Sequence, residues 1–249
     1  MRTYKIIAAM LMVTSSMPLS AQSEGGLIVG AEAEKKVNKQ LSVGMEAEMR
    51  TRNNFKTMDR WKFGINMDYK LSKHLKASAG YNLLNQDFRE DIDLKSSGAY
   101  NHWRPSYWGV KHRFYASLTG QYKLQNGLKL SLRERWQYTY RPEKTVERWD
   151  FDDEQWEDKI RKGKGKNQLR SRLQIEYDKK GSLLNPYASM ELYNSWGIKK
   201  IRYTVGTDFK LSKQHSLGLF YRFQNMKNVD ADDYDPDMHY LGLGYKFKF

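Results

Sequence analysis

Apolar and polar residues alternate along the chain from residue 27 to its last residue, broken only by polar connections. In residues 41–51, leucine, valine, methionine and alanine form one face, and serine, glycine, glutamate and arginine form the other. The pattern recurs in eleven segments: 27–37, 41–51, 61–71, 75–85, 110–124, 128–140, 168–177, 183–193, 200–211, 216–225 and 239–249. A period of two predicts strands with one apolar and one polar face, and about ten tilted residues match the height of a bilayer.

The aromatic residues distinguish a membrane barrel from a soluble β-sandwich, whose strands also alternate. One belt, near one end of the segments, contains Tyr69, Tyr122, Tyr177, Phe209 and Phe247. A second belt, toward the other end, contains Trp61, Phe114, Trp136, Tyr138, Tyr203 and Phe223. Two aromatic belts that flank an apolar band are typical of transmembrane barrels, and closure leaves no strand edge unpaired in lipid. The sequence therefore predicts an all-β protein, an antiparallel transmembrane up-and-down β-barrel of about 10–12 strands.

The connections between the segments predict the orientation of the barrel. Short, polar turns occupy 37–41, 71–75, 124–128, 178–182 and 211–215, and longer, polar loops occupy 52–60, 85–109, 141–167 and 226–238. Bacterial barrels keep short turns on the periplasmic side and have even numbers of strands. Eleven segments conflict with an even count. Either a further strand precedes residue 27, or segment 27–37 lies outside the regular ladder.

The first residues predict export. Arg2 and Lys5 precede the apolar run 6–13, and small residues lead to Ala21, which is the order of a secretory signal peptide. We therefore expect a signal peptide at 1–21 and the barrel at 22–249. The net charge of +14 would suggest a nucleic-acid partner, but an exported chain rarely meets one. The absence of Cys excludes disulfides, thiolate metal sites and a lipid-modified N-terminal Cys.

The last segment resembles the assembly signal of Gram-negative outer-membrane proteins. Leu241, Leu243, Tyr245, Phe247 and Phe249 alternate up to the terminal residue. The mature chain also resembles a family of Gram-negative outer-membrane barrels of unknown function, through the ending 48–50 of the second segment and the segment 187–191. This resemblance implies a barrel in the cell outer membrane, in contact with the barrel assembly machinery, membrane lipid and lipopolysaccharide. It implies no catalytic residue.

The polar faces of the segments carry opposite charges on different strands. The predicted acidic wall of the lumen consists of Glu32, Glu34, Glu46 and Glu48. The predicted basic wall consists of Arg133, Arg135, Arg170, Arg172, Arg202 and Arg222, with Glu191 as the main acid among them. In a closed ring the two walls face each other. They form either a narrow pore with a transverse field, which would favour small anionic solutes, or a set of side chains that bridges and fills the lumen.

One acidic residue breaks the alternation. Glu134 falls on the apolar face between Leu132 and Trp136, where a carboxylate is unfavourable in lipid. Either a β-bulge shifts the phase of this strand, or Glu134 pairs with a basic residue of a neighbouring strand.

The sequence favours a non-enzyme without cofactor or metal. Lipid-hydrolysing barrels need a base beside a nucleophile, and only His112 and His239, at strand ends, keep that alternative open. The aspartates of loop 226–238 lack the Gly and Glu of a calcium loop. The predicted function is an outer-membrane barrel that acts as a narrow, anion-preferring, porin-like channel. A closed structural or adhesive barrel that acts through its loops is the alternative, and a lipid-modifying enzyme ranks third.

Overall fold

A computed structural model describes residues 23–178, 181–227 and 235–249 of the chain. The predicted signal peptide at 1–21 and most of the acidic run in loop 226–238 lie outside these residues. Within the described residues, no helix is long and apolar enough to cross a membrane. The regular elements are fifteen strands. They are β1 (Ser23–Lys36), β2 (Leu41–Arg52), β3 (Thr57–Lys70), β4 (Leu75–Phe88), β5 (Asp91–Leu94), β6 (Tyr100–Arg104), β7 (Tyr107–Lys123), β8 (Leu128–Arg141), β9 (Lys144–Asp150), β10 (Gln155–Arg161), β11 (Lys164–Tyr177), β12 (Leu184–Asn194), β13 (Ile198–Lys210), β14 (His215–Met226) and β15 (Asp237–Lys248).

Eleven of these strands form a closed barrel in the order β1-β15-β14-β13-β12-β11-β8-β7-β4-β3-β2. Each overlaps one of the predicted segments, so the all-β barrel is confirmed. The strands are 11–17 residues long, and most extend past the predicted segment at the long-loop end. Neighbouring strands in the chain are antiparallel and are joined by the predicted short turns at one end.

The barrel closes through a parallel pair, β1 with β15, from Ser23 opposite Asp237 to Glu34 opposite Lys248. An odd number of up-and-down strands requires this, because the first and last strands then run in the same direction. The expectation of an even count is wrong for the described residues. Segment 27–37 is not outside the ladder either, since β1 pairs with β2 on its other side.

The remaining strands form a second sheet inside the predicted loops 85–109 and 141–167, in the order β10-β9-β6-β5. This order repeats that of the barrel strands β11-β8-β7-β4, so each short strand extends one barrel strand past the barrel end. Pro105 and Pro142 lie at two of the four breaks, where a residue without an N–H interrupts the ladder. The sequence predicted these two segments only as long loops, whereas the structure shows that they contain a sheet.

The two faces of the barrel wall differ as the alternation predicts. Large apolar side chains such as Phe63 and Ile65 point outward and are 58% and 62% exposed. The inner face is mostly polar, and an apolar cluster lies at the parallel seam. There Ile28, Met238 and Tyr240 are at most 4% exposed and pack against Phe220.

Candidate functional site

The polar interior of the barrel is the candidate site, and the strand register places the predicted basic wall there. Residues directly opposite each other in neighbouring strands share a face of the sheet. Arg172 lies opposite Arg133 and Glu191, and Glu191 lies opposite Arg202. In the same way Arg170 lies opposite Arg135, Thr204 opposite Arg222, and Glu32 opposite Glu46.

Glu191 on β12 is the centre of the basic wall. Its carboxylate lies 2.5 Å from Arg133, 2.9 Å from Arg170 and 3.5 Å from Arg202, which project from three different strands. The Tyr193 hydroxyl donates a fourth contact to Oε2 at 2.8 Å. Glu191 is only 5% exposed, so this carboxylate is retained at depth because several donors and positive charges surround it.

The ring of Tyr193 contacts two of these arginines and one further cation. The guanidinium groups of Arg170 and Arg202 lie 4.5 and 4.8 Å from its centroid, and the ammonium group of Lys200 lies at 4.4 Å. Cations above an aromatic face are attracted by its quadrupole. Tyr193 and Lys200 were not among the predicted site residues, although their phase in segments 183–193 and 200–211 matches that of Glu191 and Arg202.

The carboxylates of the acidic wall form ion pairs with nearby cations. Each of the four carboxylates has a cationic partner on its own or an adjacent strand, which balances part of its charge locally. The pairs are Glu46 with Lys62 (2.8 Å), Glu48 with Arg50 (2.6 Å), Glu32 with Lys246 (3.6 Å) and Glu34 with Lys248 (3.6 Å). Alternation assigned these four residues to a face but did not reveal which residue lies beside each of them.

Several arginines of the lumen lack a carboxylate partner. Among the described residues, Arg135, Arg172, Arg222 and Arg113 have none within 4.0 Å. Arg135 lies over the Tyr115 ring at 4.0 Å and Arg222 over the Phe220 ring at 4.7 Å, while Arg113 donates to Thr139. Arg113 was also missed by the sequence reasoning, although it shares the lumen phase of segment 110–124. The basic wall therefore carries a surplus of positive charge.

Glycines line part of the opposite side of the ring. In the strand order, β1 lies across from β8 and β11, and Gly30 on β1 pairs with Gly244 on β15. A Cβ atom added at Gly244 would meet no atom within 4 Å, and one at Gly30 would meet only a backbone oxygen at 3.4 Å. The space beside these two glycines is open.

The two histidines that kept an enzymatic alternative open both contact tyrosines. His112 Nδ1 lies 2.7 Å from the Tyr81 hydroxyl, and His239 Nδ1 lies 2.6 Å from the Tyr221 hydroxyl. His112 stacks on Tyr81, and His239 stacks on Phe223 of the second belt. These rings thus complete the belt near the long-loop end of the barrel.

Glu134 lies on the outer face, and neither explanation from the sequence accounts for it. The register of β8 with β7 and with β11 is continuous, so no bulge shifts its phase. Its partner is not a basic residue but the hydroxyl of Ser171, which lies directly opposite on β11 and donates to Glu134 Oε2 at 2.6 Å.

An ion cluster holds three strands together at the short-turn end. Asp178 follows β11, and its carboxylate accepts hydrogen bonds from Lys123 at 2.9 Å and Lys210 at 3.0 Å. These two bonds lower the pKa of Asp178 from its usual 3.8 to about 2.

A closed barrel with an apolar outer face, aromatic belts and a charged interior defines an outer-membrane β-barrel. Residues 29–235 match the family described as "Protein of unknown function (DUF2490)". The chain belongs to this family. None of the curated proteins matches it.

Solved structures share the barrel at low sequence identity. The beta domain of the Bordetella autotransporter BrkA is 13% identical with a TM-score of 0.52, over 84% of this chain and 82% of that one. The NanC porin is 14% identical with a TM-score of 0.48, over 91% and 98% of the two chains. The translocator domain of NalP from Neisseria meningitidis is 9% identical with a TM-score of 0.47, over 91% of each chain. At these identities the similarity shows the fold alone.

Proposed function

We propose that this protein is a narrow channel of the outer membrane that prefers small anionic solutes. The short turns face the periplasm, and β15 is recognised by the assembly machinery during insertion. The observation that supports the channel is the surplus of arginine in the lumen, represented by Arg135, Arg172 and Arg222, which have no carboxylate partner among the described residues.

The physical argument concerns the charge of these arginines. A guanidinium group stays protonated in proteins, and a charge removed from water without a partner is costly. Water and mobile anions within the lumen supply the missing interactions. The planar guanidinium fork binds carboxylate and phosphate groups in two-point geometry, so solutes that carry such groups are the favoured class.

The size of the barrel also supports a narrow passage. Barrels with about eight strands are filled by side chains, whereas those with about sixteen leave an aqueous channel. This barrel has eleven strands, and open space adjoins Gly30 and Gly244 on the side facing the basic wall. Solutes would therefore pass between the arginines of the basic wall and the two glycines, Gly30 and Gly244.

A flux measurement in proteoliposomes tests the proposal. We expect a small carboxylate to enter faster than an amine of the same size. Gly244→Phe should reduce carboxylate entry severalfold, because its ring would occupy the open space. Leu243→Phe is the matched control, since Leu243 is the preceding residue on the outer face and is 38% exposed. Equal flux of both solutes, or an unchanged flux in Gly244→Phe, would contradict the proposal.

A second candidate is a closed barrel that acts through its loops as a structural or adhesive protein. It is favoured by the tight packing inside the barrel, where Gln137, Tyr193 and Tyr240 are each only 4% exposed. This candidate predicts no flux of any solute and a function carried by the sheet β5, β6, β9 and β10. Neither candidate requires enzymatic chemistry, and the contacts of His112 and His239 with tyrosines are consistent with a non-enzyme.

A further inference from the structure

The sheet beyond the barrel end brings three metal-ligating side chains together. His102 lies on β6, Asp150 ends β9 and Glu157 lies on β10. His102 Nε2 is 3.3 Å from Asp150 Oδ2 and 3.6 Å from Glu157 Oε1, and each of the three residues is partly buried. The three residues belong to two separate loops, so they form no short sequence motif. For this reason the sequence analysis predicted no metal site.

The spacing of the three ligand atoms matches the coordination shell of zinc. Zinc binds imidazole nitrogen at about 2.0–2.1 Å and carboxylate oxygen at about 2.0–2.2 Å, usually with tetrahedral geometry. Two ligands of such an ion lie about 3.3–3.5 Å apart. The observed separations of 3.3 and 3.6 Å from His102 fit that arrangement, and all three ligand atoms lie within 4.8 Å of one another.

The chemistry of the ligands discriminates between cations. Calcium and magnesium require shells composed of oxygen, six or more ligands in the case of calcium. One imidazole nitrogen with two carboxylate oxygens suits zinc and related transition metals instead. Three protein ligands also leave a fourth tetrahedral position for water or an exogenous ligand, as in many open zinc sites.

Surrounding groups orient two of the ligands. Asp150 Oδ1 accepts the backbone N–H groups of Asp152 at 2.8 Å and Asp153 at 3.3 Å, which leaves Oδ2 directed at His102. Arg148 Nε donates to Glu157 Oε1, the oxygen that also faces His102, and holds that carboxylate in place. Outer contacts of this kind preset metal ligands. The two carboxylates outnumber the one guanidinium group beside them.

We propose that His102, Asp150 and Glu157 bind one Zn²⁺ ion, which joins the two hairpins of this sheet. The hairpins β5–β6 and β9–β10 meet through only two residue pairs in the described sheet, His102 with Asp150 and Trp103 with Trp149. Ligands from both hairpins lie at this seam, so the ion reinforces the point where backbone pairing is shortest. The site is independent of the lumen and of the channel proposal.

Tryptophans provide an internal reporter of binding. Each ligand has a tryptophan as its sequence neighbour, namely Trp103, Trp149 and Trp156. Adjacent residues of a strand point to opposite faces, and the three rings form a cluster with centroid distances of 5.7 and 5.6 Å. Closure of the ligands around zinc on one face should therefore alter tryptophan fluorescence from the other.

The test is a titration of Zn²⁺ into tag-free, chelator-treated full-length protein in detergent micelles at about pH 7. We expect one ion per chain and a change in tryptophan fluorescence. His102→Gln and Glu157→Gln should each lower the affinity by at least about 10–100-fold, the effect of losing even an outer contact. Heat-modifiable gel migration verifies that each variant retains a folded barrel.

The matched control is Asp158→Asn, which removes a carboxylate next to Glu157 on the same strand but on the opposite face of the sheet. Its affinity for zinc should equal that of the unmodified protein. The proposal is overturned if zinc does not bind, if Asp158→Asn loses as much affinity as Glu157→Gln, or if Ca²⁺ binds as tightly as Zn²⁺. If His102→Gln does not fold, Glu157→Gln alone decides the test. The proposal then requires that Glu157→Gln lose the fluorescence response to zinc.

Discussion

Arg170 donates through Nη2 to both carboxylate oxygens of Glu191, at 2.9 and 3.0 Å. The same carboxylate also forms ion pairs with Arg133 on β8 and Arg202 on β13. One acid therefore holds guanidinium groups from three strands on one side of the lumen. Its removal would leave these charges to repel one another.

Glu191→Gln should destabilise the barrel strongly. Breaking a buried ion pair by removing one partner costs about 3–5 kcal/mol, and here several cations lose the same partner. The measurement is the free energy of unfolding by urea from lipid vesicles. Glu34→Gln is the control, because the side chains of Glu34 and Lys248 are 32% and 60% exposed and such pairs contribute about 0–1 kcal/mol. Equal effects of the two substitutions would show that Glu191 does not organise the basic wall.

Glu134 and Ser171 should make the barrel less stable in a lipid bilayer than apolar residues at the same two positions would. A carboxylate on the lipid face is unfavourable, although less so than Lys or Arg. We expect the double variant Glu134→Leu with Ser171→Val to gain about 1–2 kcal/mol in the same urea assay. Ser171→Val alone should destabilise, because it removes the donor to Glu134. A loss of stability in the double variant would indicate that another protein, rather than lipid, covers this point.

Asp178 should make the short-turn end sensitive to acid. Its pKa lies at about 2 in the barrel and at 3.8 in the free side chain. Its contribution to stability is therefore complete above pH 3.8 and is lost as the pH falls through 2. The urea midpoint of the unmodified protein should exceed that of Asp178→Asn at about pH 6, and the difference should shrink toward zero near pH 2. A difference that is constant over this range would contradict the prediction.

The parallel closure places the start of β1 at the long-loop end, with Ser23 opposite Asp237. Because the chain contains no Cys, single cysteines report their side of the membrane. A membrane-impermeant maleimide should label Ser23→Cys and Lys56→Cys in intact cells, but Ser212→Cys only after permeabilisation. If Ser23→Cys instead behaves like Ser212→Cys, the first strand enters the barrel from the other end.

Alternation predicted the barrel well, because a one-residue shift would move a whole strand's apolar set to the wrong face. The phase of residues 168–177 and 183–193 therefore placed Arg170 and Glu191 on one face. It could not reveal their partners, since register depends on how strands pair. The loops 85–109 and 141–167 carry mixed charges, and their strands become regular only by continuing barrel strands that are already paired. The pairing of His102 with Asp150 could not be predicted either, because it depends on the register of these same loop strands.

The most direct test of the central claim, a lumen with surplus positive charge, is the reversal potential of single channels in planar bilayers under a salt gradient. We predict discrete conductance steps and a reversal potential that shows anion preference, because Arg113, Arg135, Arg172 and Arg222 lack carboxylate partners among the described residues. Arg172→Glu should weaken that preference. Cation preference in the unmodified protein, or no conductance from protein that shows heat-modifiable folding, would contradict the account.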